Sequence, residues 1–266
     1  MLHLICMFEH ARIDLLPQFV EHYRALLVER FHLTLHFDPE VPRDQIAART
    51  RLAEDTLARL GVDLNAVMIW PFDSDVSREH QNQVQRQIAA QGDWIVWADV
   101  DEFQTYPEPL PDLIAQAELQ GCDYFRAAMI DRLAQDGSLA EFDPGRSIWE
   151  QYPRRSRLTR DVAGAWDMKT TCARTDIILR GGNHAPVHEE EVVAWPQWFE
   201  VHHFKWDASV IPRLRRRLEP DWKERCYWWT ESAALLDHIE RNGGRVDPAM
   251  MEAESIEARA KCASPR

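Results

Sequence analysis

Cysteine is sparse and shows no pairing pattern. Cys6, Cys122, Cys172, Cys226 and Cys262 are scattered through 266 residues, and no Cys-x-x-Cys occurs. An odd, dispersed set argues against a disulfide framework or a cysteine zinc site and suits a reducing compartment. No apolar run approaches membrane-spanning length. The apolar start Leu2–Phe8 is too short for a signal peptide, lacks a basic leader and contains His3. There is no Asn-x-Ser/Thr acceptor, which fits an intracellular setting. Basic residues are in deficit, 31 against 44 acidic, for a net charge of −13. That balance argues against general nucleic-acid binding but leaves a nucleotide substrate open, since phosphates need only local positive charge or a metal. A Gly-Lys-Ser/Thr phosphate loop, internal repeats, low-complexity blocks and Ser/Gly-rich linkers are all missing. The expected location is cytoplasmic.

What remains is ordinary globular material, 45% hydrophobic and 28% charged, long enough for one large domain or a domain with an appendage. Tryptophan is abundant at 11 residues, six of them after position 190. Such rings either pack cores or stack on sugar faces.

The hydrophobic pattern predicts alternating strands and helices. Strands are expected at Leu2–Phe8, Phe31–Phe37 and Asn65–Phe72, with helices at Asp14–Arg30, Val41–Leu60 and Val76–Gln91. A fourth strand, Trp94–Ala98, follows. This order implies an α/β fold with a mainly parallel sheet covered on both faces. Further on, the pattern suggests a short helix at Leu113–Leu119 and strands at Cys122–Met129, Lys169–Leu179 and Phe199–Trp206. Helices are expected at Ala208–Leu218 and Trp222–Asn242, and residues 131–165 show few periodic elements.

The fourth strand runs into Asp99-Val100-Asp101-Glu102-Phe103. Open α/β sheets bind ligands at the carboxyl ends of their strands. In extended backbone, residues i and i+2 face the same way, so Asp99 and Asp101 would converge. Converging carboxylates repel unless a cation lies between them, and hard oxygen ligands suit Mg²⁺ or Mn²⁺. The plainer alternative is an Asp-rich turn that caps the next element.

Trp-Ile-Val-Trp-Ala-Asp-Val-Asp-Glu-Phe resembles the Asp-x-Asp-Glu-Phe signature of family-2-like glycosyltransferases with the GT-A fold. The resemblance extends to the opening strand and helix, to Arg78–Arg86, and to Gly181-Gly182-Asn183-His184 and His202-His203-Phe204-Lys205-Trp206, together spanning most of residues 2–206. It implies a GT-A-like, Rossmann-like domain over 1–206, with a nucleotide-sugar half at about 1–105 and an acceptor half at about 106–206. Residues 207–266 would be a C-terminal helical extension. The implied activity moves a sugar from a nucleotide-diphosphate sugar to the hydroxyl of a glycan or other acceptor, with inversion and with Mn²⁺ or Mg²⁺.

The same resemblance implies roles for individual residues. Asp99 and Asp101 would ligate the metal, with Asp99 also in reach of ribose, and His203 would complete the site. Glu9 keeps the acidic position after strand one, although Met7-Phe8-Glu9-His10 departs from the usual Arg-Asn-Glu pattern. Asp38, Arg78 and Gln81 are candidate contacts to base, ribose or diphosphate, and Lys169 to the leaving diphosphate. The usual Glu-Asp pair that supplies the base is absent. Glu190, within Glu189-Glu190-Glu191, is the candidate base and Asp167 its competitor. For most of these, a solvated loop or helix face is the alternative.

Arg154, Arg155, Arg157 and Arg160 could form a loop closing over phosphates. Arg213, Arg215, Arg216 and Arg217 form a basic helix that could touch an anionic membrane or pair within this acidic protein. His184 and His188 have i, i+4 spacing, but Pro186 between them argues against a helical zinc site. Two rival readings are a metal-dependent phosphoesterase, which needs a second ligand cluster, and a non-catalytic nucleotide- or carbohydrate-binding relative.

Overall fold

The computed structural model describes residues 1–88, 93–225 and 227–252. Its first half alternates strand and helix. β1 (Leu2–Glu9) leads through a 3₁₀ turn (His10–Leu15) into α1 (Leu16–Ala25), followed by β2 (Arg30–Phe37), α2 (Arg43–Arg59), β3 (Leu64–Ile69), α3 (Ser74–Ile88) and β4 (Trp94–Trp97). Next come β5 (Glu102–Thr105), α4 (Leu110–Leu119), β6 (Tyr124–Leu133), α5 (Ile148–Gln151), β7 (Arg154–Ser156), α6 (Leu158–Asp161) and β8 (Met168–Arg174). The chain ends with β9 (Ala194–His203), α7 (Val210–Arg216), α8 (Pro220–Arg225) and α9 (Trp229–Arg241). Among the described residues no helix is long and apolar enough to cross a membrane.

The strands form one mixed sheet in the order β3-β2-β1-β4-β8-β6-β9-β5, with β7 pairing β6 off that path. β3, β2, β1 and β4 are mutually parallel, and β8 runs antiparallel to both β4 and β6. This is the α/β, GT-A-like arrangement expected. The chain builds outward from β1 to β3, then returns on the other side of β1 as β4. Strand order therefore reverses between β1 and β4, the point at whose carboxyl ends open α/β sheets bind ligands. β4 is buried at all four positions, as a central strand covered on both faces must be. The edge strand β3 alternates half-buried and exposed instead.

The chain packs as two compact units, one comprising Met1–Ala128 with Met168–Val201, the other Met129–Asp167 with His202 onward. In the first, Ile5, Ile95, Trp97, Tyr124, Ala173, Ile177 and Leu179 form a core against Val84 and Ile88 of α3. In the second, Trp206, Val210, Leu214, Leu235, Leu236 and Ile239 pack with Leu133 and Leu158. The buried Asp131 ties that core together, accepting from Thr159 N (2.7 Å), Thr159 Oγ1 (2.8 Å) and Trp206 Nε1 (2.7 Å). A buried carboxylate is stable only when its lone pairs are used this fully.

Several element boundaries differ from the sequence expectation. The helix expected at Asp14–Arg30 is shorter, because Pro17 lies at its first turn and Leu27 takes a left-handed φ of 65° that ends it. α3 is described only to Ile88, so its expected end at Gln91 lies outside the described residues. Strand β8 stops at Arg174 because the chain leaves the sheet, presenting the Thr175 and Ile177 carbonyls to Gln85 Nε2 at 2.8 Å each. β9 begins at Ala194, earlier than expected, and Trp206 lies beyond it. The helix expected over Trp222–Asn242 is two helices, α8 and α9. Residues 131–165, expected to hold few elements, carry the end of β6, β7 and two four-residue helices.

Buried neutral histidines make this fold acid-sensitive. His22 of α1 is enclosed by Tyr23 and Phe103 and bonded to the Gln104 carbonyl at 2.8 Å. Burial lowers its pKa to about 4, against 6.5 in the unfolded chain, even though that hydrogen bond favours the charged form. Between those values the unfolded chain binds the proton and the folded one does not. The stability contributed is therefore complete above about pH 6.5 and lost as pH falls toward 4. The urea midpoint should drop across this window, and His22→Gln should remove part of the drop. An unchanged pH slope in the variant would contradict the assignment.

Candidate active site

The carboxyl ends of β1 and β4 carry a compact charged cluster. β4 ends at Trp97, and the chain then turns: Glu102 N donates to Asp99 O at 2.9 Å, closing a β-turn over Asp99-Val100-Asp101-Glu102. This corrects the extended, same-face geometry expected for Asp99 and Asp101, which are brought close by the turn. The Asp99 amide also donates to the Glu102 carboxylate at 3.2 Å. Three carboxylates therefore share one turn at the carboxyl end of a buried strand.

Two cations answer them. In β8, Lys169 sets its ammonium 2.7 Å from Glu102 and 3.7 Å from Asp99. Sheet register explains the placement. β4 and β8 are antiparallel with Val96 opposite Cys172, so continuing that register carries Lys169 alongside Asp99. Arg12, on the 3₁₀ turn after β1, donates to Asp101 Oδ2 at 3.1 Å, and both side chains are nearly enclosed. Parallel register with Ile5 opposite Trp97 aligns the end of β1 with the same turn.

Three carboxylates against two cations leave an excess of negative charge. Asp99 responds: its packed surroundings first, then the neighbouring Glu102, push its pKa up to about 7, with Lys169 opposing. With 45% of the Asp99 side chain still meeting solvent, the burial contribution is moderated. The Lys169 ammonium loses from burial but gains more from Glu102 and Asp99, and its pKa rises. Below the cluster, burial and then the same three carboxylates push the Cys6 thiol well above its ordinary range, so this cysteine is inert. His184 bonds its Nδ1 to the Met168 carbonyl at 2.7 Å. Burial and then the Lys169 charge lower its pKa to about 4, so the ring is neutral at physiological pH.

The other candidates sort as follows. Glu9 is exposed at the end of β1. Asp38 follows β2 and accepts from Phe72 N at 3.0 Å, which pins the loop after β3. Arg78 pairs with Asp75 along α3 at 3.5 Å. Gln81 is buried on that helix with Asn82 and Gln85, whereas Gln83 is exposed, and Gln85 holds the loop after β8. Glu190 is exposed beside His188 at 3.8 Å. With Glu191 these side chains bring ligand atoms within 4.8 Å of one another, a grouping the sequence spacing did not reveal. Asp167 and His203 belong to the second unit. Asp167 lies 3.7 Å from Arg160 and 4.0 Å from Arg157, and His203 Nδ1 lies 3.0 Å from the Met129 sulfur. The arginine loop expected over 154–160 is in part β7, paired with β6. On the basic helix, Arg213 bonds the Lys205 carbonyl (2.8 Å) and Arg215 pairs with Glu240 (3.1 Å).

Arg12 is the member that the sequence reading missed, and Glu102 was given no role of its own there. Glu102 was visible inside the motif, but Arg12 is separated from its partner by 89 positions and carries no local signal. For a divalent metal the donor chemistry fits: Asp99 and Asp101 offer hard oxygens, with the Glu102 carboxylate beside them.

Comparison with known proteins adds little at the level of sequence. No family model matches the chain. No curated protein matches it either. Similar solved structures include Staphylococcus aureus TarS (residues 1–349) in complex with UDP, at 12% identity and a TM-score of 0.35, covering 92% of this chain and 74% of that one. Another is a UDP-glucose pyrophosphorylase complexed with UDP-glucose, at 9% identity and a TM-score of 0.28, covering 97% and 96%. A third is mouse xyloside xylosyltransferase 1 in its apo form, at 14% identity and a TM-score of 0.21, covering 92% and 83%. None of these likenesses assigns an activity.

The Lys169–Glu102 pair should be energetically conspicuous. Both side chains are almost wholly enclosed, so Lys169→Met strands a buried carboxylate. Loss of one partner of such a pair costs about 3–5 kcal/mol. Urea unfolding of Lys169→Met, Glu102→Gln and the double variant should show the double variant to be less destabilised than the two singles added together. Simple additivity would mean that the ion pair is not coupled.

Proposed function

We propose that the protein is a glycosyltransferase that moves a sugar from a nucleotide-diphosphate sugar to an acceptor hydroxyl, with inversion and with the help of Mn²⁺ or Mg²⁺. The supporting observation is the carboxylate turn Asp99–Glu102 at the point where strand order reverses, with surplus negative charge and a lysine fixed beside it. In this reading residues 1–105 hold the donor, 106–206 receive the acceptor, and 207–266 form a helical extension.

Asp99 and Asp101 would hold the divalent cation. A cation bound there supplies Lewis-acid stabilisation to the departing diphosphate. The chain's own groups do the rest. Lys169, held by Glu102, keeps a fixed positive charge next to Asp99, where charge on a leaving diphosphate would develop. Glu9, Asp38, Arg78 and Gln81 would line the donor's base, ribose and phosphates. Glu190 would take the acceptor's proton, with Asp167 as the alternative base. An exposed carboxylate beside a histidine keeps a lone pair for that transfer.

A second reading has one observation in its favour. A metal-dependent phosphoesterase needs a second ligand group, and His188, Glu190 and Glu191 form one.

Thermal unfolding of the wild type and Asp101→Ala with UDP, GDP, CDP and ADP, with and without Mn²⁺, tests the proposal. A ligand at ~100 times its dissociation constant adds about 2.7 kcal/mol, a readable shift in midpoint. One nucleotide should raise the midpoint in a Mn²⁺-dependent way, and Asp101→Ala should abolish the rise. If no nucleotide shifts the wild type and the protein hydrolyses a generic phosphate ester with Mn²⁺, the phosphoesterase reading replaces this one.

A further inference from the structure

Asp101 is the more enclosed of the two aspartates, and its partner is not a surface cation. Arg12 reaches it from the 3₁₀ turn His10–Leu15, which is anchored by the buried Ile13 and Leu15 and leads directly out of β1. With 8% of the Arg12 side chain and 12% of the Asp101 side chain exposed, the pair is shielded from the screening that makes surface pairs transient. Lys169 treats Glu102 and Asp99 in the same way. A free divalent ion approaching Asp101 therefore meets a carboxylate already paired with an enclosed guanidinium. It would also have to settle within a few ångströms of that guanidinium, where like charges oppose each other strongly at low effective dielectric.

We propose that Arg12 is a built-in counter-ion of Asp101 that holds free divalent cations off the site, so that the metal is taken up together with a nucleotide diphosphate. This rests on the transferase reading above. The diphosphate brings the negative charge that offsets the guanidinium across the site. Arg12 is then a positioning residue. It sets the order and cooperativity of loading without taking part in sugar transfer.

The test measures Mn²⁺ affinity by electron paramagnetic resonance of the free ion, with Mn²⁺ as the only ligand, for wild type, Arg12→Gln, Arg12→Lys and Asp101→Asn. Arg12→Gln should bind Mn²⁺ at least tenfold more tightly than wild type, Arg12→Lys should stay near wild type, and Asp101→Asn should not gain. Equal affinity in wild type and Arg12→Gln overturns the inference, as does an absence of Mn²⁺ binding to both. A structural role alone would lower the thermal midpoint of Arg12→Gln without tightening Mn²⁺ binding. If Arg12→Gln does not fold, the wild type decides. Its Mn²⁺ affinity must rise at least tenfold when the nucleotide found in the thermal panel is saturating, and an unchanged affinity, or a panel in which no nucleotide binds, overturns the inference. Failure of the transferase reading looks different where Arg12→Gln folds: no nucleotide shifts the midpoint, whatever Arg12→Gln does to Mn²⁺.

Discussion

Three carboxylates in four consecutive positions, at the mouth of a fully buried strand, would repel one another and resist burial. The first unit of this protein is arranged so that they can stay. Arg12 comes from the turn after β1, and Lys169 from β8, the two strands that flank β4. Neither cation could reach the turn if β4 paired with different neighbours, because register carries each one to its carboxylate. Electrostatics and topology are therefore one constraint here. The strand order that reverses beside β4 also supplies the charges that make an acidic turn tolerable at its end.

That constraint leaves an imbalance at a definite place. Asp101 and Glu102 are each committed to an enclosed cation, whereas Asp99 shares Lys169 at a longer distance and is the carboxylate that reaches solvent. Burial first, and then the neighbouring Glu102, raise the pKa of this accessible group to about 7. A neutral His184 beside Lys169 adds no positive charge of its own. The site is weakly acidic on its open side and neutralised on its inner side. Such a pattern suits a ligand that brings both a cation and phosphates.

Much of this was readable from sequence where hydrophobicity and local order carry the information. The apolar runs of β1 and β4 and the strand–helix alternation up to β4 led to the parallel half of the sheet, and the Asp-x-Asp-Glu motif pointed to the carboxyl end of β4. The failures share a cause. Asp99 and Asp101 were read as pleated because a strand precedes them, yet a hydrogen bond between Asp99 and Glu102 ends the strand first. Composition cannot tell the exposed Gln83 of α3 from Gln85, which is fully buried and satisfies two loop carbonyls. Arg12 has nothing nearby in sequence to mark it, since its meaning lies in a partner 89 positions away.

The tryptophans show the same limit from the other side. Their number suggested either cores or sugar platforms, and the fold uses them in both exposed and buried settings. Trp206 is fully buried and spends its indole N–H on Asp131 in the core of the second unit, and Trp195 and Trp222 are buried as well. Trp198 stands 46% exposed on β9 with the Arg126 guanidinium 4.8 Å from its ring centre. A cation over the ring occupies one π-face and stiffens the side chain, so only the opposite face is left for a partner. The antiparallel register of β6 with β8 decides where that face lies. Ala127 is opposite Lys169 and Arg126 opposite Thr170, and neighbouring residues of a strand point to opposite faces of the sheet. Arg126, with Trp198 beneath it, therefore projects from the face opposite Lys169. The side chains of Arg126 and Lys169 thus leave the sheet on opposite faces, which separates the exposed aromatic from the lysine of the charged cluster.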